Sequence, residues 1–108
     1  MSNEKLITLL RTLLQRTTSG AASWTSGSRD DTYIWSGSSA SVAVLTRDND
    51  GASPFIVRLI DGGGRIIEDE VYEHGDAGYD MISDLYGAAR ADALDINAAI
   101  DGLLDDLG

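Results

Sequence analysis

No cysteine occurs anywhere in the chain. A disulfide framework, a thiolate nucleophile and a thiolate metal site are therefore excluded, and nothing in the composition points to an oxidising compartment. Long apolar runs are missing too. The stretches from Ile34 to Leu45 and from Phe55 to Ile67 are broken by Ser, Gly, Arg and Asp, so neither is expected to span a bilayer. The opening residues Ser2, Asn3, Glu4 and Lys5 lack the basic start and continuous apolar core of a secretory signal, which makes the cytoplasm the expected compartment. Positive charge is scarce in one part of the chain in particular. Residues 66 to 108 hold twelve acids against Arg90 alone, whereas residues 1 to 65 hold seven Lys or Arg against six acids. That is −11 against +1, for a net −10. A polyanion or an anionic membrane surface is repelled by such a segment, because binding either depends on clustered Lys and Arg. Neither nucleic acid nor membrane is an expected partner. The acidity itself has two readings, a solvated surface that resists aggregation or a docking face for a basic protein.

What is present suffices for one hydrophobic core. At 108 residues, with 43% hydrophobic and 24% charged residues, the chain is expected to form a single domain over 1–108. Leu6, Leu9, Leu10, Leu13 and Leu14 recur at three- and four-residue steps and predict an amphipathic helix from about Asn3 to Arg16, capped by Ser2 or Asn3 and stopped by Thr17 to Gly20. From Ala21 to Glu73 the pattern changes to short β-prone runs. Five strands are predicted, at about Ala22 to Ser26, Thr32 to Ser36, Ala40 to Arg47, Pro54 to Asp61 and Arg65 to Tyr72. The joints at Arg29-Asp30-Asp31, Gly37-Ser38-Ser39, Asp48 to Gly51 and Asp61 to Gly64 are short and rich in turn residues, which favours antiparallel neighbours. The Phe55 strand, apolar on most of both sides, is expected to be central and the Trp24 strand to lie at an edge.

The last third carries a seam. Ile82, Tyr86, Ala89, Ala93, Ile96, Ile100, Leu103 and Leu107 alternate steps of four and three, the spacing that lets one helix pack along another. An unbroken helix from Gly78 to Leu107 would be about 45 Å long and would overhang the sheet. Gly87 in its interior, and Asp92 or Asp95 as a second cap, make a bend between Ala91 and Asp95 the alternative. The expected fold is thus α+β: N-terminal helix, antiparallel β-meander of about five strands, and a long, straight or bent, C-terminal helix. Ile56 and Ile60 are expected on the sheet face away from the helices. With Tyr86, Ala89, Ala93, Ile96, Ile100 and Leu103 of the seam they are the candidate interaction residues.

Chemistry-bearing motifs are weak by comparison. His74 is the only histidine and stands near Asp76, but no nucleophile turn surrounds any serine, so a solvated histidine and an N-capping Asp76 are expected. Asp48, Asp50 and Gly51 look like part of a calcium loop, yet Thr46 and Val57 occupy its opening and closing positions. Gly62 to Gly64 precede a strand rather than a helix, so they read as a hairpin and not a phosphate cradle. In Glu68-Asp69-Glu70 the alternation puts Glu68 and Glu70 in water and Asp69 toward the core or in a bulge. No catalytic residue, metal site or cofactor is expected.

Tyr79, Leu85-Tyr86, Ala89-Arg90, Ala93-Leu94, Ile100, Leu103-Leu104 and Leu107, with the Leu-rich first helix, Trp24 and the Asp61 to Gly64 hairpin, resemble small bacterial proteins of unassigned function. The resemblance implies the order helix, meander, helix and brings no activity. The expected function is a non-enzymatic protein-protein interaction or regulatory module that self-associates as a homodimer. The alternatives are an acidic neutralising partner of a basic protein, such as an immunity protein, antitoxin, secretion chaperone or DNA mimic, and a small hydrolase or isomerase using His74.

Overall fold

The computed structural model describes residues 4–27, 31–48 and 50–108. The expected caps Ser2 and Asn3 and the turn residues Arg29, Asp30 and Asn49 lie outside the described residues. Helix α1 spans Glu4–Thr18. Strands β1 (Thr25–Ser26), β2 (Tyr33–Ser36), β3 (Ala40–Thr46), β4 (Phe55–Asp61) and β5 (Ile66–Tyr72) follow, then helices α2 (Tyr79–Ala93) and α3 (Ile96–Leu107). The strands form one antiparallel sheet in the order β1-β2-β3-β4-β5, because each joint is too short for a crossover. The joint between β4 and β5 shows how. The Asp61 carboxylate accepts from the Gly63 and Arg65 amides at 3.0 and 2.9 Å, while Gly64 turns the chain at φ 89°, a left-handed angle that favours glycine.

Strand β3, not β4, is the middle of the sheet. It alternates Val42, Val44 and Thr46 with Ala43 and Leu45, all buried, whereas β4 is interior but only fourth in order. Leu6, Leu10 and Leu13 of α1 and Ile82, Leu85, Tyr86 and Ala89 of α2 share one core cluster with Tyr33, Val42, Val44, Phe55, Val57 and Tyr72 of the sheet. Both helices therefore cover the same face. They run parallel, with Leu6 and Ile7 beside Gly78 and Met81 at one end and Thr17 and Thr18 beside Ala88 and Asp92 at the other. Gly78 precedes α2 at φ 86°, a left-handed angle that favours glycine although a side chain would meet Ile7 and Tyr72 only at ordinary contact distance.

The other face carries the rows Ile34-Ala43-Arg58-Asp69, Leu45-Ile56-Val71 and Ser41-Ile60-Ile66, which places Ile56 and Ile60 away from the helices as expected. Asp69 is a correction. It points to this face, away from the helices, where its carboxylate accepts from Arg58 Nε at 2.8 Å and Nη2 at 3.3 Å. Glu68 and Glu70 lie on the helix side, opposite Leu59 and Val57, but β5 is an edge strand beyond most of the helical cover, so Glu68 stays exposed and Glu70 is half-buried. The register shift falls between Leu59 and Ile60, not at Asp69.

Polar contacts fasten the layers. The Trp24 indole donates to Thr17 Oγ1 at 2.8 Å, that hydroxyl donates to the Leu13 carbonyl, and the Trp24 amide donates to Asp92 Oδ2 at 2.7 Å. One residue thus ties α1, the start of the sheet and α2. Buried Asp31 accepts from the Thr46 amide at 3.2 Å, and the Tyr86 hydroxyl donates to the Asp31 carbonyl at 3.0 Å. Burial above all, with Tyr33 and Asp31 nearby, pushes the Tyr86 phenol far above its ordinary value against a smaller lowering by Arg90. Burial and then Glu70 raise Tyr72 as well. Below about pH 10 both states hold these protons and stability does not depend on them. Above it the unfolded chain releases protons that the fold retains, so stability falls as pH rises, by at most about 1.4 kcal/mol per pH unit for Tyr86, until the fold releases its protons too. An alkaline titration is expected to show the tyrosinate absorbance of these two residues rising together with loss of circular dichroism. Ordinary titration with the fold intact would contradict it.

Candidate functional site

The C-terminal seam is split by its own backbone. At Leu94 and Asp95 the α2 hydrogen bonds end, with Leu94 N–H on the Arg90 carbonyl and Asp95 N–H on that of Asp92, and Asp95 takes the left-handed angle φ 50°. Asp tolerates that region better than most residues with a side chain, so the predicted bend falls where Asp supplies it. Asp95 precedes α3 without a side-chain capping bond, and Asp92 serves Trp24 instead of capping a helix.

The two halves of the seam consequently meet different fates. Tyr86 and Ala89 are 4% and 0% exposed in the chain's own core, and Ala93 is half-buried against it. These three hold α2 to the sheet and are not available to another protein. Ile96 is half-buried, but Ile100, Leu103, Leu104 and Leu107 are 47%, 62%, 59% and 86% exposed. Helical spacing puts these five on one side of α3, with Asp101 and Asp106 flanking them and Asp105 opposite. No basic residue occurs in α3. The helix follows α2, and none of its described residues belongs to the core cluster. It is an amphipathic rod with a bare apolar side.

Charge is sorted as well. Arg47, Arg58 and Arg65 on and around the sheet are ion-paired, to Asp48 and Glu73, Asp69 and Asp61 respectively. Lys5, Arg11 and Arg16 on α1 make no ion pair with the described residues. Arg11 lines a groove of about 300 Å³ between α1, β5 and the start of α2, with Leu6, Ile7, Tyr72, Ala77, Met81 and, from the strand, Glu70. On the sheet face away from the helices Ile56 and Ile60 are half-buried beside the Arg58 and Asp69 pair, and the outermost apolar groups are Ile66 and Val71 at 50%.

His74 is exposed, its ring edge-on to Tyr79 with centroids 5.3 Å apart. The neighbouring Asp76 carboxylate is occupied by the Glu73 amide at 2.7 Å and does not cap α2, whose first turn follows Gly78. Asp48 and Asp50 lie in the turn after β3, where Asp50 accepts from the Ala52 amide at 3.0 Å. Among the described residues no three His, Asp or Glu come together as a metal site, and no helix is long and apolar enough to cross a membrane. Leu104 completes the apolar side of α3 and was not among the candidates, because it stands off the strict four-three seam; counting its neighbours on the helix would have found it. No protein-family model, curated protein or solved structure matches the chain, so the resemblance to small bacterial helix-meander-helix proteins rests on its quoted residues alone.

Proposed function

We propose that the chain is a non-enzymatic protein-protein interaction module, active in the cytoplasm, whose binding element is α3. One observation carries this reading: the apolar side of α3 is exposed in the single chain although its continuation in α2 is buried. An amphipathic helix offered in this way suits a groove on another protein surface, where its three- and four-spaced large residues act as anchors. Burying each such side chain contributes about 1.5–3 kcal/mol. Four such anchors supply about 6–12 kcal/mol, the same order as the cost of association, so a stable complex needs partner contacts beyond them.

The experiment is comparative co-purification from cells that encode the chain, using the wild type and a Leu103→Asp, Leu107→Asp variant as bait. Both sites are exposed, so the variant should melt as the wild type does and retain no partner. Equal retention by both baits would sink the reading. A second reading, an acidic protein that neutralises a basic one, is favoured by the exposed Asp101, Asp105 and Asp106 without a cation on α3. In that case retention falls steeply as salt is raised.

A further inference from the structure

Away from α3, two opposite charges line one groove without meeting. The groove of about 300 Å³ between α1, β5 and the start of α2 takes Arg11 from the helix and Glu70 from the strand. Helical spacing puts Arg11 one turn beyond Ile7, and strand alternation puts Glu70 on the same side of β5 as Tyr72. The Glu70 charge helps burial to raise the Tyr72 phenol, so the carboxylate lies near that wall of the groove. Neither Arg11 nor Glu70 forms an ion pair with the described residues, so the groove holds them too far apart to neutralise each other. Between them Leu6, Ile7, Met81 and the Tyr72 ring supply apolar walls.

We propose that this groove binds a free α-amino acid with a large apolar side chain, its carboxylate on Arg11, its ammonium on Glu70 and its side chain against Leu6, Ile7 and Met81. Charge selects this class by elimination. A carboxylic acid without an amine meets Arg11 but is repelled by Glu70, and an amine without a carboxylate meets the reverse. A neutral apolar molecule covers both charges without replacing the water they lose, which costs free energy. A segment within a longer chain offers amides where this groove has charges. A zwitterion brings both opposite charges on one small body, and each is attracted more strongly beside apolar walls than in open water. Size agrees. At about 30 Å³ for each water-sized group the groove holds roughly ten of them, which suits leucine or phenylalanine. The occupant differs in kind from the protein partner assigned to α3, and neither reading depends on the other.

The test is titration of the purified full chain with L-leucine and L-phenylalanine, followed by amide chemical shifts in nuclear magnetic resonance. Saturable shifts are expected around Ile7, Tyr72 and Gly78, with a Kd of order 0.1 mM, as suits so small a ligand. Isocaproate, which is leucine without its amine, and isoamylamine, which is leucine without its carboxylate, are each expected to bind at least about tenfold more weakly than leucine. Arg11→Gln should weaken leucine at least about tenfold without weakening isoamylamine, and Glu70→Gln should weaken leucine as much without weakening isocaproate. Arg11 is exposed, Glu70 is half-buried and neither is paired, so neither substitution should move the melting of the protein. Four results overturn the proposal: no saturable shift up to about 10 mM of either amino acid, a Kd of order 0.1 mM being expected, shifts centred elsewhere, leucine binding indifferent to both substitutions, or isocaproate or isoamylamine binding as well as leucine. The co-purification with the Leu103→Asp, Leu107→Asp bait touches none of these residues, so the two readings stand or fall separately.

Discussion

Truncating Leu85 to alanine is expected to destabilise the fold by about 2–5 kcal/mol, and truncating Leu103 in the dilute protein by less than about 0.5 kcal/mol. The two leucines sit in successive helices of one C-terminal segment. Leu85 is 0% exposed, held between the sheet and α1, so its removal loses transfer energy and leaves a cavity that packed neighbours cannot fully close. Leu103 is 62% exposed and has little burial to lose. Against a total stability of about 5–15 kcal/mol the first change is severe and the second nearly silent. Urea denaturation at low protein concentration measures both, and equal losses would mean that α3 packs on its own chain.

Replacing Trp24 by alanine should cost about 3–5 kcal/mol, which for a chain of this size lowers Tm by well over 10 °C. Trp24 is 4% exposed and its indole N–H meets the Thr17 hydroxyl, so the change removes a large buried side chain and that bond, while the backbone amide keeps its hold on Asp92. Trp24→Phe separates the contributions. It keeps most of the apolar volume but deprives the buried Thr17 hydroxyl of its donor, an expected loss of about 1–2 kcal/mol. Asp92→Ala, which frees only the Trp24 amide, should cost about 1 kcal/mol. Thermal melts of the three variants would contradict the account if Asp92→Ala were as damaging as Trp24→Ala.

Much of the fold was legible because its turns are written in residue types. Asp61 to Gly64 and Gly37 to Ser39 bound their strands to within a residue, since a carboxylate that can accept two amides and a glycine at positive φ leave the chain few other paths. The fastening contacts were not legible. Trp24 and Asp92 are 68 positions apart, and nothing local distinguishes an aspartate that holds a distant amide from one that caps a helix. Asp69 was misplaced because alternation assigns two faces without saying which is covered. Tyr72 shows that the Glu68 and Glu70 side faces the helices, and those glutamates stay wet only because β5 is at the edge.

The same ambiguity governs the candidate site. Tyr86, Ala89, Ile100 and Leu103 follow one uninterrupted four-three rhythm, and hydrophobic spacing reports which side of a helix is apolar, not whether anything covers it. Only the turn at Asp95 divides the rhythm into a half spent on the core and a half left over. Ile56 and Ile60 were placed on the right face, but side chains around them already bury them in part, so they contribute less bare surface than α3.

Hydrogen exchange of the amides in Ile96–Leu107, read by mass spectrometry at high dilution, addresses the core of this account directly. A rod without a partner should exchange far faster than Tyr79–Ala93. Protection of α3 equal to that of α2 at high dilution would show that its own chain covers the apolar side, and the case for a binding helix would fall.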